Sequence, residues 1–290
     1  MWTSEALAGI THNSTTQFNA IRCSAGSTWG PQEIVAPNQW AALDDAVLAD
    51  NGDLIVAWHA YGLTCGKRFC TETNIMLHVA REMTGSLSWQ DSGSLGATLA
   101  SGIKVAADAT GQAAVAHPVT VGSVTEIVSI VQQGAGLPWS APTVISSAGL
   151  SVIDVASDAS GDLTLALSSA SGVAVSLGNI SSNTWGAVTT VSGTDYVYGV
   201  QHGFAVSSSG AAVLSWTVAQ PPNVQALEVR AISRPSALAA WSAPQTISAG
   251  FLPNGASIDG AAVNTSGNGV VVYDAVDASG TVRSIFASTF

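Results

Sequence analysis

The chain has 290 residues; 47% are hydrophobic, only 9% are charged, and the formal net charge is −11. Among its eight basic residues the only adjacent pair is Lys67 and Arg68, so it lacks the basic clusters that hold nucleic acid or an anionic membrane surface. The apolar residues come in short bursts between Gly, Ser, Thr and Asn, and no run reaches the roughly 18 residues of a membrane helix.

Taken in order, the chain opens on the tail of a strand at Met1 and Trp2, then a strand over 17–23, then Trp29 in STWGPQEIV. The next unit, 41–99, has the turn LADNG with Gly52, an apolar strand through Val56, Ala57 and Trp58, a further strand over 74–81, and Trp89. Unit 100–149 repeats this with AADATG (Gly111), Val115-Ala116-His117, a strand over 126–131, and Trp139 in LPWSAPTVI. Unit 150–195 has ASDASG (Gly161), Leu165-Ala166-Leu167, a strand over 173–177, and Trp185. Unit 196–250 has AVSSSG (Gly210), Leu214-Ser215-Trp216, a strand over 227–232, and Trp241. The last, 251–290, has AVNTSG (Gly267), Val271-Val272-Tyr273 and a strand over 282–287, with no fourth strand after it. Each glycine marks a tight hairpin turn that needs positive φ. The strand that follows it, aliphatic and then small, reads as the inner strand nearest an axis.

Repeat units of this size, each with four short strands, predict an all-β fold: a β-propeller of four-stranded antiparallel blades, five to six in number, as one domain over 1–290. The units approximate blades at 41–99, 100–149, 150–195 and 196–250, with partial ones at 1–40 and 251–290. The simplest closure shares one blade between the N- and C-terminal strands and so removes exposed edges. An outer-rim strand, a partial sixth blade, or completion by another copy of the chain through the terminal strands stay open beside it.

The stretches DNGDLIVAW, DATGQAAVAH, DASGDLTLAL and NTSGNGVVVY, followed by TWGPQEIV, PWSAPTVI and AWSAPQTI, resemble bacterial neuraminidase repeat, or sialidase-like, propellers. They look closest to repeats of secreted bacterial propeller proteins. The resemblance implies the fold. The Asp-box of that family, S-x-D-x-G-x-x-W, is matched only in part, by Ser24, Gly26 and Trp29 without the Asp. The family's arginine triad, Tyr–Glu nucleophile pair and Asp acid find no matching pattern, so the resemblance does not carry over the catalytic set. Met1 is followed by WTSEALAG, which is no secretory leader. The Ser/Thr/Gly-rich, lysine-poor composition still points to an extracellular or cell-surface bacterial location.

Candidate sites follow from residue type. Cys65 and Cys70 bracket a small loop and read as a disulfide; Cys23 reads as a small buried residue. The column Trp58, His117, Leu167, Trp216, Tyr273 reads first as packing between blades, and second as a ligand platform. In the second reading Trp58, Trp216 and Tyr273, with His59 and Tyr61, stack on or bind a sugar. Asp44, Asp45, Asp50 and Asp53, and again Asp154, Asp158 and Asp162, read mainly as hairpin-turn chemistry, with Ca²⁺ binding or paired-acid catalysis as alternatives. Of the scattered His12, His59, His78, His117 and His202, His59 and His117 end second strands in successive units and are placed to approach each other. The longest second-to-third connections, 61–73 and 217–223, are candidate binding loops. No cofactor motif appears. These features favour a non-enzymatic recognition or surface-structural protein that binds a glycan or protein through one face. The rivals are a sialidase-like glycoside hydrolase using Asp45, Asp154 or Asp259 with a nearby His, and a self-assembling subunit.

Overall fold

The computed structural model describes residues 6–7, 18–21, 33–36, 41–65, 70–86, 88–169, 172–193, 195, 197–220, 223–248, 252, 255–276, 279 and 283–289. Trp2, His12, Cys23, Trp29 and the Lys67 and Arg68 pair lie outside them. The described residues are all-β and form six antiparallel sheets in chain order. The first contains β1 (Ala6–Leu7), β2 (Phe18–Ile21) and β3 (Glu33–Ala36). The second contains β4 (Ala41–Leu48), β5 (Leu54–Cys65), β6 (Cys70–Glu82) and β7 (Trp89–Ala97). The third contains β8 (Lys104–Ala107), β9 (Ala113–Val121), β10 (Val124–Gln132) and β11 (Thr143–Ser146). In the fourth, β12 (Ser151–Ser157), β13 (Asp162–Ser169) and β14 (Gly172–Asn179) are followed by the short β15 (Thr184–Trp185) and β16 (Thr189–Thr190), both paired with β14. The fifth contains β17 (Val197–Val206), β18 (Ala212–Gln220), β19 (Asn223–Arg234) and β20 (Gln245–Thr246). The sixth contains β21 (Ala256–Val263), β22 (Gly269–Val276) and β23 (Arg283–Thr289).

The hairpin turns carry their own reason for folding. Asp108 Oδ1 accepts hydrogen bonds from the N–H groups of Thr110 and Gln112, both at 2.9 Å. Asp158 does the same for Ser160 and Asp162, and Asn264 for Ser266 and Asn268. Gly111, Gly161 and Gly267 all sit at φ 83°, where a side chain is strained. The Asx chemistry and the glycine together close each turn without tertiary help.

Packing runs sheet against sheet. Alternate residues of a strand face opposite sides, so Val56 and Trp58 join a core with Val35 of the first sheet, while Ile55 and Ala57 join Ile103 and Val105 of the third. Equivalent cores bind the third sheet to the fourth, the fourth to the fifth and the fifth to the sixth. The strands β4, β8, β12, β17 and β21 pack on one another in turn, and Val47, Val105, Val155 and Val206 line an axial cavity of about 270 Å³. The arrangement is propeller-like.

One expectation changes here, and one is not seen among the described residues. The strand nearest the axis is the one before each glycine, not the one after it. The strand after the glycine is buried because a sheet packs on each of its faces. Among the described residues, moreover, no pairing joins β1–β3 to β21–β23; the terminal strands form separate three-stranded sheets.

Candidate active-site mouth

At the end of the axis away from the glycine hairpins, the innermost strands bring charged residues to one level. Asp45 pairs across the ladder with Ala57, Lys104 with Ala116, and Asp154 with Ala166. Gly203 and Gly260 hold the same register in the fifth and sixth sheets, opposite Ser215 and Val272. The ladder of β4 is interrupted between Leu43 and Asp45, that of β12 between Val152 and Asp154, and that of β21 between Ile258 and Gly260. Such a bulge leaves one residue unpaired and re-aims its side chain. In β4 that residue is Asp44, and in β21 it is the exposed Asp259.

Asp44 Oδ2 lies 2.8 Å from His59 Nδ1, with both side chains buried. Burial pulls the His59 imidazole down, but the hydrogen bond and charge of Asp44, with the charge of Glu72, hold it above its ordinary value. Burial raises Asp44 as well, against the pull of His59. The pair therefore keeps its proton to higher pH than a free histidine would. Tyr61 sits beside it, its ring 5.7 Å from that of His59. Burial and the charge of Glu72 raise its phenol.

Asp45 Oδ2 accepts the N–H of Val105 at 2.9 Å, so it also ties the second sheet to the third. Burial raises its carboxyl, while Lys104 and the N–H groups of Val105 and Ala46 oppose the rise. Asp154 is raised further, to about 6, chiefly by burial and also by the charge of Asp45; Lys104 and the Val155 N–H act against this. Two carboxyls near one lysine thus stand in environments that separate their proton affinities. This is the usual way a protein divides acid from base between like groups.

The sequence-predicted residues fall into two groups. His59 and Tyr61 lie at this mouth. Trp58 and Trp216 are completely buried and Tyr273 is 5% exposed; the rings expected to stack on sugar pack between sheets instead. Trp58 stacks on His78, Trp216 donates its indole N–H to Asp195 Oδ2 at 3.1 Å, and Tyr273 stacks on Phe286 and donates to Ile247 O. A flat indole fills the gap between two sheets better than any other side chain, so the burial follows from size. His59 and His117 take separate partners: His117 Nδ1 lies 3.1 Å from Thr98 Oγ1. The region 61–73 is mostly strand, because β5 and β6 run on as a ribbon to Cys65 and Cys70, which are disulfide-bonded. Asp44, Asp45 and Asp154 lie inside innermost strands rather than in turns. Among the described residues no three His, Cys, Asp or Glu side chains converge as a metal site.

Lys104 was not singled out from the sequence, although its position was readable. Asp45, Lys104, Asp154, Gly203 and Gly260 each lie thirteen residues before the bulky column that starts at Trp58. A column that changes between acid, lysine and glycine carries no packing signal, which is why hydrophobic patterning passes over it.

No protein-family model matches the chain, and no curated protein matches it in sequence. Solved structures do match in shape. A polysaccharide lyase of family PL25, an ulvan lyase bound to a GlcA–Rha3S ligand, superposes with a TM-score of 0.60 at 10% identity, over 97% of this chain and 79% of the lyase. The K499G mutant of the NanB sialidase from Streptococcus pneumoniae superposes with a TM-score of 0.53 at 11% identity, over 94% of this chain and 63% of the sialidase. The chain therefore spans less than two thirds of the sialidase. At these identities the likeness establishes a sialidase-like, propeller-type fold.

Proposed function

We propose that the protein cleaves a neutral glycan by general acid–base catalysis at the mouth formed by Asp44, Asp45, His59, Lys104 and Asp154. The observation that carries this reading is the pair Asp45 and Asp154, at the same level on two innermost strands and both near Lys104. Asp154, protonated up to about pH 6, serves as the acid that protonates a leaving oxygen. Asp45, steadied by the Val105 N–H and by Lys104, serves as the ionised partner that activates water or takes the sugar carbon. His59, held by Asp44, is a second proton carrier on the rim. An extracellular site of action fits the composition, and the solved neighbours named for sialidase and lyase activity support a glycan as the ligand.

The test is turnover on a panel of chromogenic glycosides and plant, algal and bacterial polysaccharides, followed by reducing-end release and by ultraviolet absorbance. Reducing ends without new absorbance mean hydrolysis; an absorbing unsaturated sugar means elimination from a uronate and would overturn the neutral-glycan reading. Asp154→Asn should remove turnover and leave binding. Glycan binding without turnover in the native protein would replace catalysis by recognition.

A further inference from the structure

A second groove lies between the second and third sheets, toward the hairpin end and away from the mouth. It encloses about 530 Å³ and is lined by Arg81 of β6, Gln90, Asp91 and Ser92 of β7, Gln132 of β10, and Trp139 in the turn after it. Arg81 is 3% exposed. Asp53 Oδ2 stands 3.5 Å from its Nη1, which balances its charge. Yet none of its guanidinium nitrogens has a hydrogen-bond acceptor among the described residues. Gln132 donates through Nε2 to Leu137 O at 2.7 Å, which leaves its buried Oε1 as an acceptor without a partner among the described residues. Trp139 is fixed by its indole N–H, which donates to Ser92 Oγ at 2.9 Å.

The charge of this groove decides what suits it. Arg81 is already matched by Asp53, and Asp91 adds a further carboxylate at the rim, its side chain 42% exposed and its Oδ1 3.9 Å from His78 Nδ1. An anion entering here would meet an excess of carboxylate. The unmet needs are for neutral oxygens that accept from Arg81 and for a hydroxyl that donates to Gln132 Oε1; Asp91, whose Oδ1 already accepts the Gly93 N–H, offers a further acceptor at the rim. Buried polar groups left unpaired are costly, and groups that supply both donor and acceptor relieve them together. A polyhydroxylated ring does so, and its C–H face suits an indole wall.

We propose that this groove is a saccharide subsite, in which Arg81, Asp91 and Gln132 take ring hydroxyls and Trp139 with Leu137 forms the apolar wall. It stands apart from the mouth and does not depend on the reading given there. The test follows the indole N–H signals by NMR while short gluco-, manno-, xylo- and galacto-oligosaccharides are titrated into the full chain. The Trp139 signal is identified by its loss in Trp139→Phe. The expected result is a saturable shift of that signal by at least one neutral series. Leu137→Glu, an exposed change at the rim, and Asp91→Ala should each weaken it by roughly tenfold, the worth of one hydrogen bond to a charged group. Asp154→Asn should leave the shift untouched, which separates this site from the mouth. No Trp139 shift from any neutral series, equal response to uronic-acid oligosaccharides, or binding unchanged in both rim variants would each overturn the proposal.

Discussion

His117 is buried on the strand behind an innermost one and Asp154 is half-buried on an innermost strand, and burial shifts the two in opposite directions. Burial lowers His117 to about 4 and raises Asp154 to about 6. An unfolded histidine takes its proton near pH 6.5, whereas the folded His117 does so only near 4. Between those values the unfolded chain binds more protons, so stability falls as pH drops through the window, by roughly 3 kcal/mol in all. For Asp154 the folded state binds the extra proton between about 4 and 6, so stability falls as pH rises to 6. The two trends oppose each other, and single substitutions expose them. His117→Leu, which installs the residue that stands at the same position as Leu167, should remove the acid-side loss and raise the melting temperature at pH 5 more than at pH 7.5. Asp154→Asn should raise the melting temperature at pH 7.5 and give no gain at pH 4, while turnover is lost. Thermal melts of both variants across pH 4 to 8 decide the matter. A melting temperature for Asp154→Asn below that of the native chain at pH 7.5 would remove the case for a buried, proton-holding carboxyl.

At the scale of the element, two of the recurring tryptophans, Trp139 and Trp185, fasten one sheet to the next by a hydrogen bond, whereas the buried indole nitrogens of Trp89 and Trp241 have no hydrogen-bond partner among the described residues. Trp139 of the third sheet reaches Ser92 of the second, and Trp185 of the fourth reaches Ser129 of the third at 2.7 Å. Ser129 in turn donates its hydroxyl hydrogen bond to Asn183 Oδ1 at 2.8 Å. Trp185→Phe keeps the ring and removes the donor, and should cost about 1 kcal/mol, the net worth of one hydrogen bond. A double-mutant cycle with Ser129→Ala, read from denaturant midpoints, should show coupling of similar size; additive losses would mean that the bond contributes nothing. These elements also show what the sequence could tell. Gly52, Gly111, Gly161, Gly210 and Gly267 located the turn between the first and second strands of the second to sixth sheets, because a positive-φ turn admits little else. The hydrophobic strands followed from the aliphatic residues that recur four positions after each glycine. The mouth was hidden for two reasons. A bulge shifts the register by one residue, so Asp44 and Asp45 cannot be placed on faces by counting. The charged level around the axis also joins residues about fifty to sixty positions apart, and that proximity exists only once the sheets are arranged about their axis. The β5–β6 ribbon was missed because Gly62, Gly66 and the paired cysteines read locally as loop.

At the scale of the whole molecule, charge bears on the ligand more than any single side chain does. The net charge is −11, and the mouth sets Asp44, Asp45, Asp154 and Asp259 against Lys104. The field of such a body repels anions over about a Debye length, roughly 8 Å at physiological salt, and the repulsion is focused where walls of one sign face each other. A neutral glycan pays none of this. Affinity or kcat/KM for neutral glycans should therefore be nearly flat as ionic strength rises from low values to about that of physiological saline. For uronate-bearing or sulfated glycans it should increase, as screening removes the repulsion. Measurements in sodium chloride at fixed pH separate the two, since a carboxylate clamp at the mouth would give the reverse slope for the acidic ligands. Lys104→Gln sharpens the comparison. Removing the lysine charge that acts on Asp45 and Asp154 should steepen the salt dependence for acidic glycans, leave neutral ones flat, and move the acid limb of any pH–rate profile upward, because both carboxyls lose the charge that opposes their rise. A pH–rate profile unmoved by Lys104→Gln would place the chemistry elsewhere than between those two strands.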